Sequence, residues 1–213
     1  MLLRGIDLRK DQSYFLYRLS QSQFKKILFP LDKFTKEEVR EIAKQAGLNE
    51  FANKKESQNF IKDQELKKLL LNNQRNQKGE IINANGKVIG HHNGYYNFTI
   101  GQRQGLHIGG LSQPYYVTRI DIRKNRVIVG EKTAALKKEF KIKHNHWIAF
   151  KKLNKSQRAT VRLRSNGNFF PCQILPNSNN ALIILDQPQF AITPGQSAVF
   201  YSGDVVLGGG IIE

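Results

Sequence analysis

Four glycines, two glutamines and one arginine lie close together in residues 96–110 of the 213-residue chain. Glycines this dense mark backbone that adopts positive φ or lies close against another group. Arg103, between them, carries a planar set of donors that suits a phosphate or a base edge. An ion pair within the domain would account for Arg103 equally well. The stretch predicts a β-hairpin with a tight bend, with Arg103 as a candidate contact.

The charge of the chain indicates a polyanionic partner. There are 34 Lys and Arg against 17 Asp and Glu, a net charge of +17. Residues 132–164 hold eleven of the basic residues and one acid, Glu139. Each phosphate contact made by a cation also releases counterions, so localised positive charge favours RNA or DNA. No basic amphipathic helix points to a membrane. The alternative is a lysine-rich surface that only faces water.

The single cysteine, Cys172, excludes an internal disulfide and a multi-cysteine metal site. It lies in a strand-like run, where a cysteine usually acts as a small buried hydrophobe. The five histidines have no spaced cysteine or carboxylate partners, so no metal is expected. No apolar run reaches 18 residues, and the N-terminus lacks the apolar core of a signal peptide. We therefore expect a cytoplasmic protein without a membrane partner.

Helices are predicted in the first third of the chain. Thr35 and Glu38 have the spacing of a capping box, an apolar face follows, and Gly47 ends the pattern. Three further short helices are predicted: around Tyr14, after Ser20 or Ser22, and at Asp63–Leu71.

The rest of the chain has the period of strands. Hairpins are predicted at 80–89 and 115–130, with Asn-Gly as the first turn. Regularly spaced short strands follow at 159–163, 172–175, 181–185, 197–201 and 205–207. Such spacing is typical of a small barrel or sandwich. The fold class predicted is α+β, mainly β, with a C-terminal antiparallel barrel.

Four segments, in order, resemble the tRNA-specific 2-thiouridylase family, which places sulfur on the wobble uridine of certain tRNAs. They are Leu8–Leu16, Phe29–Arg40, Thr99–Gly110, and Ile192–Tyr201 with Gly208–Ile212. The resemblance implies three domains: the C-terminal remnant of a PP-loop-type ATP-binding domain at 1–60, a β-rich central domain at 61–138 and a barrel at 139–213.

Two departures from the family pattern concern catalysis. The chain has no Ser-Gly-Gly-x-Asp-Ser loop to hold pyrophosphate. The family also uses two cysteines, and at Ser57–Ile61, where one would carry a persulfide, there is none. Thiolation needs ATP with Mg to activate the uridine and a thiolate to carry sulfur. We therefore expect no catalytic residue, no cofactor in this chain and no thiolation by it alone.

The resemblance implies a set of tRNA-contacting residues. The family's Lys-Asp-Gln trio corresponds to Lys10, Asp11 and Gln12, although Asp11 and Gln12 could instead cap the next helix. An Arg-Tyr pair corresponds to Arg164 and Ser165, so the tyrosine is lost. Gln196 matches a further contact, or is a turn glutamine that faces water.

These observations predict the tRNA-binding portion of a 2-thiouridylase-like protein. One alternative is an adaptor that docks a separate ATP-binding subunit or a sulfur-relay protein. Exposed apolar surface around Tyr14, Phe15 and Leu16 would support that alternative. The other alternative is an inactive remnant.

Overall fold

The computed structural model describes residues 1–54, 78–109, 113–178 and 180–213. The chain divides into two compact units. One comprises Met1–Glu56, Lys138–Gln187 and Pro194–Glu213, and the other Ser57–Lys137 with Pro188–Thr193. The helix predicted at Asp63–Leu71 lies outside the described residues, and the three-domain division stays a prediction.

The described α-helices are short and lie in the first 54 residues. They are α1 (Ser13–Leu16), α2 (Gln21–Phe24), α3 (Lys36–Gln45) and α4 (Asn49–Asn53). Both predicted caps are confirmed. Ser20 caps α2, and at α3 the Glu38 carboxylate accepts from the Thr35 amide at 2.6 Å while Thr35 Oγ1 accepts from the Glu38 amide at 3.3 Å.

A four-stranded sheet forms the second unit, in the order β2-β1-β4-β3. Its strands are β1 (Gly79–Asn83), β2 (Val88–His92), β3 (Tyr116–Asp121) and β4 (Arg126–Gly130). Both predicted hairpins are confirmed, and β1 also pairs with β4 in parallel, which local pattern does not predict. Buried side chains of the sheet form its core: Ile81, Val117, Val127 and Val129.

The prediction of a hairpin in the glycine-rich stretch is wrong. A short 3-10 helix at Tyr95–Asn97 leads into turns, and residues 98–109 contain no strand. Gly101 has a φ of +88°, and a Cβ there would collide with the Ala191 side chain. Leu106 is buried in the core of the sheet. The glycines therefore serve a turning loop that Leu106 anchors.

Six antiparallel strands close into a barrel in the order β10-β5-β8-β7-β6-β9. They are β5 (Leu136–Trp147), β6 (Gln157–Arg162), β7 (Phe169–Asn177), β8 (Asn180–Phe190), β9 (Ser197–Ser202) and β10 (Val205–Ile212). The predicted barrel and its five predicted strands are confirmed. The long strand β5 was not predicted.

Helix α1 packs on one face of strand β9. Tyr14 and Tyr17 form a buried cluster with Val199 and Tyr201, two residues that share a face because strand side chains alternate. At Gly209 of β10 a Cβ would lie 2.7 Å from the Tyr17 ring, so glycine allows the ring to approach the strand. Among the described helices, none combines the length and the apolar composition needed to cross a membrane.

Candidate nucleic-acid interface

Asp11 lies at the centre of a buried hydrogen-bond network. Its side chain is 1% exposed. One carboxylate oxygen accepts from the amides of Gly5 (3.2 Å) and Ser13 (3.0 Å). The other accepts from Ser13 Oγ at 3.0 Å and Arg162 Nη1 at 3.3 Å. Four donors thus satisfy the acceptor sites of this carboxylate, which is how a buried charge is stabilised.

Arg162, at the end of β6, joins this network to the barrel. Its side chain is 9% exposed, and its Nε donates to the Gly167 carbonyl at 3.1 Å. The guanidinium lies 5.0 Å from the centre of the Phe169 ring, and the guanidinium of Arg4 lies 4.3 Å from the same ring. Cation–π contacts of this kind strengthen as they are removed from water.

Tyr201 completes the network. Its hydroxyl lies 3.3 Å from Ser13 Oγ, and its ring meets the Phe169 ring edge-on at 5.0 Å. Burial raises the pKa of Tyr201. We call the six residues that contact one another here the buried seam: Arg4, Asp11, Ser13, Arg162, Phe169 and Tyr201.

The buried seam connects two of the predicted contact sites. Lys10 and Gln12 flank Asp11 and are exposed. Arg164 is exposed and Ser165 half-buried in the turn that follows β6, where the Gly167 amide donates to the Arg164 carbonyl at 3.0 Å. Because Arg162 holds both Asp11 and Gly167, the two segments are fixed to the same arginine.

Gln196 lies next to a residue that contacts helix α1. It is exposed, and its carbonyl accepts from the Ile212 amide at 2.8 Å. The next residue, Ser197, accepts from the Tyr14 hydroxyl through its carbonyl at 2.8 Å and contacts the Tyr17 hydroxyl through its Oγ at 3.0 Å. Lys10, Gln12, Arg164, Ser165 and Gln196 thus belong to one unit.

Asp11 differs from the other residues of the predicted trio. The alternative, capping of α1, is partly met: Asp11 accepts from the Ser13 amide, whereas Gln12 at the N-cap makes no side-chain cap hydrogen bond. The buried carboxylate of Asp11 presents no surface to a ligand. The contact roles of Lys10 and Gln12 stay predictions.

Arg103 lies in the other unit, exposed on the glycine-rich loop. The neighbouring Gln102 ties the loop together, because its side chain accepts from the Thr99 amide at 3.0 Å and donates to the Gln104 carbonyl at 2.9 Å. The Gln102 carbonyl also accepts from the amide of Val117 in β3 at 2.9 Å. The loop therefore has a defined shape, and the role of Arg103 as an RNA contact stays a prediction.

Cys172 is fully buried in β7, as its strand-like surroundings predict. Burial raises the pKa of its thiol to about 12. A thiol with that pKa is protonated at neutral pH, and the thiolate is the form that attacks or carries sulfur. The position Ser57–Ile61, which the resemblance matches to a family cysteine, lies outside the described residues, and its sequence holds no cysteine.

The N-terminus of α3, the longest described helix, does not fit a triphosphate. Helix α3 has Glu37 and Glu38 in its first turn, and the Lys36 amide there donates to the Asp7 carboxylate at 3.1 Å. Carboxylates thus occupy the end of the helix dipole that an anion would need. No group of three His, Cys, Asp or Glu side chains within residues 1–54, 78–109, 113–178 and 180–213 could hold a metal ion.

Sequence reasoning did not find Arg162. An arginine in a strand normally faces water, and nothing in the pattern of β6 marks this one as buried. A weak signal existed for Asp11. An aspartate side chain often accepts from the amide two residues further on, in an Asx turn, and Asp11 accepts from the Ser13 amide in this way.

Three family models match the chain in series. They are the tRNA methyl transferase HUP domain at residues 1–63, the tRNA methyl transferase PRC-barrel domain at 67–131 and the aminomethyltransferase beta-barrel domain at 137–212. The chain thus matches, in series, the model of a HUP domain and the models of two β domains.

Curated relatives match over the whole chain. It is 41% identical to the tRNA-specific 2-thiouridylase MnmA of Trichormus variabilis, 43% to that of Mannheimia succiniciproducens and 42% to that of Vibrio vulnificus. The matches cover 100% of this chain and 61%, 57% and 60% of those relatives, respectively. The chain belongs to the tRNA-specific 2-thiouridylase family and spans about three fifths of the length of these relatives.

Proposed function

We propose that this chain is the tRNA-binding portion of a 2-thiouridylase-like protein of the cytoplasm. It binds a tRNA whose wobble uridine is to be thiolated, and it does not catalyse thiolation alone. The relatives are tRNA-specific 2-thiouridylases, and the chain matches three fifths of their length.

The observation that carries the proposal is the buried seam. It fixes Lys10 and Gln12 on one segment and Arg164 and Ser165 on another to a single buried arginine, Arg162. Exposed cations held in a fixed arrangement on a folded surface are suited to phosphates of a folded RNA.

The charge distribution supports the same conclusion. Strands β5 and β6 and the turns around them carry most of the eleven Lys and Arg of residues 132–164. Two of these arginines pair with carboxylates, Arg158 with Asp186 and Arg162 with Asp11. The basic residues outnumber the acids of this region, so its net charge is positive and attracts a polyanion.

Inactivity of the chain alone follows from the chemistry it lacks. Activation of a uridine needs a bound ATP. The sequence has no Ser-Gly-Gly-x-Asp-Ser loop, and the first turn of α3 carries Glu37 and Glu38, which repel phosphate. Sulfur transfer needs a thiolate, and the thiol of Cys172 is buried with its pKa raised to about 12. The nucleotide, its Mg and the sulfur donor would have to come from other parts of the system.

Binding of unmodified tRNA across a salt series tests the proposal. The logarithm of the affinity should fall linearly with the logarithm of the salt concentration, by about 0.7 to 0.9 per phosphate contact. Lys10→Ala and Arg164→Ala should each weaken binding and lower that slope by about 1. Lys44→Ala is the matched control, because Lys44 is an exposed lysine of α3 paired with Glu41. Equal effects of all three substitutions would contradict a defined contact surface.

A second candidate function, docking of an ATP-binding domain, rests on exposed apolar side chains. The predicted apolar surface at α1 is reduced to Phe15, which is 61% exposed, because Tyr14 is buried and Leu16 half-buried. Among the described residues, however, twelve of fifteen exposed large apolar side chains lie in the first 54 positions. They are Met1, Leu3, Ile6, Leu8, Phe15, Leu28, Phe29, Leu31, Phe34, Ile42, Leu48 and Phe51.

The occupant that fits is the rest of a HUP domain, since the HUP-domain model matches residues 1–63. The part of the Trichormus variabilis relative that this chain does not match, expressed alone, is the binding partner for a titration. Leu28→Ser should weaken binding, because Leu28 is 89% exposed, whereas Ile122→Ser, 63% exposed in the other unit, should not. Absence of binding by the unaltered chain would contradict the docking function.

A further inference from the structure

Asp11 carries the wrong charge for a residue of an RNA-binding segment. A carboxylate on such a surface repels phosphate, and it helps binding only if it contacts a donor on the RNA. The side chain of Asp11 is 1% exposed, and its oxygens already accept from Gly5, Ser13 and Arg162. Both its negative charge and its burial therefore argue against direct contact between the Asp11 carboxylate and RNA.

The partners of Asp11 are distant in sequence. Arg162 is 151 residues away, and it also donates to the Gly167 carbonyl in the turn that carries Arg164. Arg4 adds a second cation 3.7 Å from the carboxylate and covers the face of Phe169. The pair is thus the connection between the N-terminal segment and the turn after β6.

We propose that Asp11 and Arg162 are positioning residues of the tRNA-binding surface. Their buried ion pair fixes the Lys10 and Gln12 segment relative to the turn of Arg164 and Ser165, and Asp11 itself touches no RNA. The inference rests on the proposed function and deepens it, because it divides the predicted contact residues into those that touch phosphate and one that places the others.

The inference predicts an effect of opposite sign to that of charge. Asp11→Asn makes the chain more positive by one unit, so electrostatics alone would tighten binding of a polyanion. If Asp11 positions Lys10 and Arg164, the same substitution weakens tRNA binding by about tenfold, because contacts in one network do not act independently. Asp186→Asn is the matched control: it makes the same change of charge at the exposed pair with Arg158.

The experiment measures tRNA affinity for the full chain and its variants over a salt series. Lys10→Ala is also made in the Asp11→Asn background, where its effect should shrink if Asp11 acts through Lys10. Fluorescence of the single tryptophan, Trp147 in β5, reports whether the barrel of each variant is folded. Should Asp11→Asn fail to fold, Arg162→Lys replaces it; lysine keeps the charge but loses the planar group that bonds Asp11 and Gly167 together.

Weaker binding by Asp11→Asn, with Asp186→Asn unchanged or slightly tighter, supports the inference. Unchanged or tighter binding by a folded Asp11→Asn, or fully additive effects of Asp11→Asn and Lys10→Ala, overturns it while the proposed function stands. If the unaltered chain shows no salt-dependent tRNA binding, the proposed function fails, and the positioning role in RNA binding fails with it. Amide exchange at Gly5, Ser13 and Gly167 would then still show whether the pair couples the two segments.

Discussion

The two ends of strand β6 each carry an arginine paired with an aspartate, and the pairs differ in almost every respect. Arg158 binds Asp186 in two bonds of 2.8 and 2.7 Å, with side chains 62% and 42% exposed. Arg162 binds Asp11 in a single 3.3 Å bond, with side chains 9% and 1% exposed.

The difference shows that the distance in an ion pair does not decide its importance. An exposed pair is screened by water and contributes little, however good its geometry. A buried pair has lost its hydration, so removal of one partner leaves a charge that the interior cannot solvate. The longer pair, Arg162 with Asp11, therefore connects two distant segments, whereas the shorter pair, Arg158 with Asp186, lies on the surface and contributes little to stability.

The largest effect is expected when the buried pair loses its arginine. Arg162→Leu removes from the buried seam the cation that pairs with the Asp11 carboxylate. It should lower the free energy of unfolding by about 3–5 kcal/mol. Urea unfolding followed by Trp147 fluorescence measures it. A loss no larger than that of Arg158→Leu would show that the seam is not the stabilising element.

Gly209→Ala should act on the same region from the side of the helix. A Cβ at Gly209 would lie 2.6 Å from the Ala198 carbonyl and 2.7 Å from the Tyr17 ring. One of them must shift, which should cost about 1–3 kcal/mol of stability. Gly5→Ala is the control, since its nearest contact would be an ordinary 3.8 Å. The same unfolding measurement applies, and equal stability of the two variants would contradict the close packing of α1 on the barrel.

Tyr14→Phe should have a smaller effect, of about 1 kcal/mol, through loss of the hydrogen bond to the Ser197 carbonyl. It should also change the response to alkaline pH. Burial raises the pKa of Tyr14 from 10.0 to about 12. Between these values the unfolded chain binds fewer protons than the folded one, so stability falls as pH rises.

Unfolding measured from pH 9 to 12 tests this prediction. The fall in stability should be smaller in Tyr14→Phe than in the unaltered chain, although Tyr201 and Cys172, whose pKa values are also raised by burial, leave part of it in place. An identical fall in both proteins would show that the Tyr14 hydroxyl is accessible to water.

The smallest effect belongs to the exposed pair. Asp186→Asn removes an acceptor from Arg158, which holds the pKa of Asp186 below its usual value. Because both side chains are exposed, the thermal midpoint should remain within the error of the measurement. A clear loss of stability would abolish the contrast between the two ends of β6.

The sequence predicted local structure wherever a short-range rule determined it. The caps at Ser20 and Thr35 follow from side chains three residues apart, and the β1–β2 turn follows from Asn-Gly. Strand β5 was missed because only Phe140 and Ile142 mark its buried face, and the positions in phase with them on either side are the polar residues Lys138 and His144. In the glycine-rich stretch, density of glycine indicated positive φ correctly but did not distinguish a hairpin from a turning loop.

The candidate site was less predictable, because its organisation depends on contacts between distant residues. The resemblance located Lys10, Asp11 and Gln12 as one group, whereas burial separates Asp11 from the other two. The buried carboxylate pairs with Arg162, and a pairing across 151 positions leaves no periodic or motif signal in a single sequence.

The role of the buried seam in tRNA binding is tested most directly by comparing Arg162→Gln with Arg158→Gln. Both substitutions remove one positive charge from strand β6, so a surface that only attracts polyanions would weaken equally in the two variants. If the buried seam organises the tRNA-binding surface, Arg162→Gln weakens binding by about tenfold while Arg158→Gln changes it by less than about twofold. Equal losses in two folded variants would contradict a tRNA-binding surface organised by the buried seam.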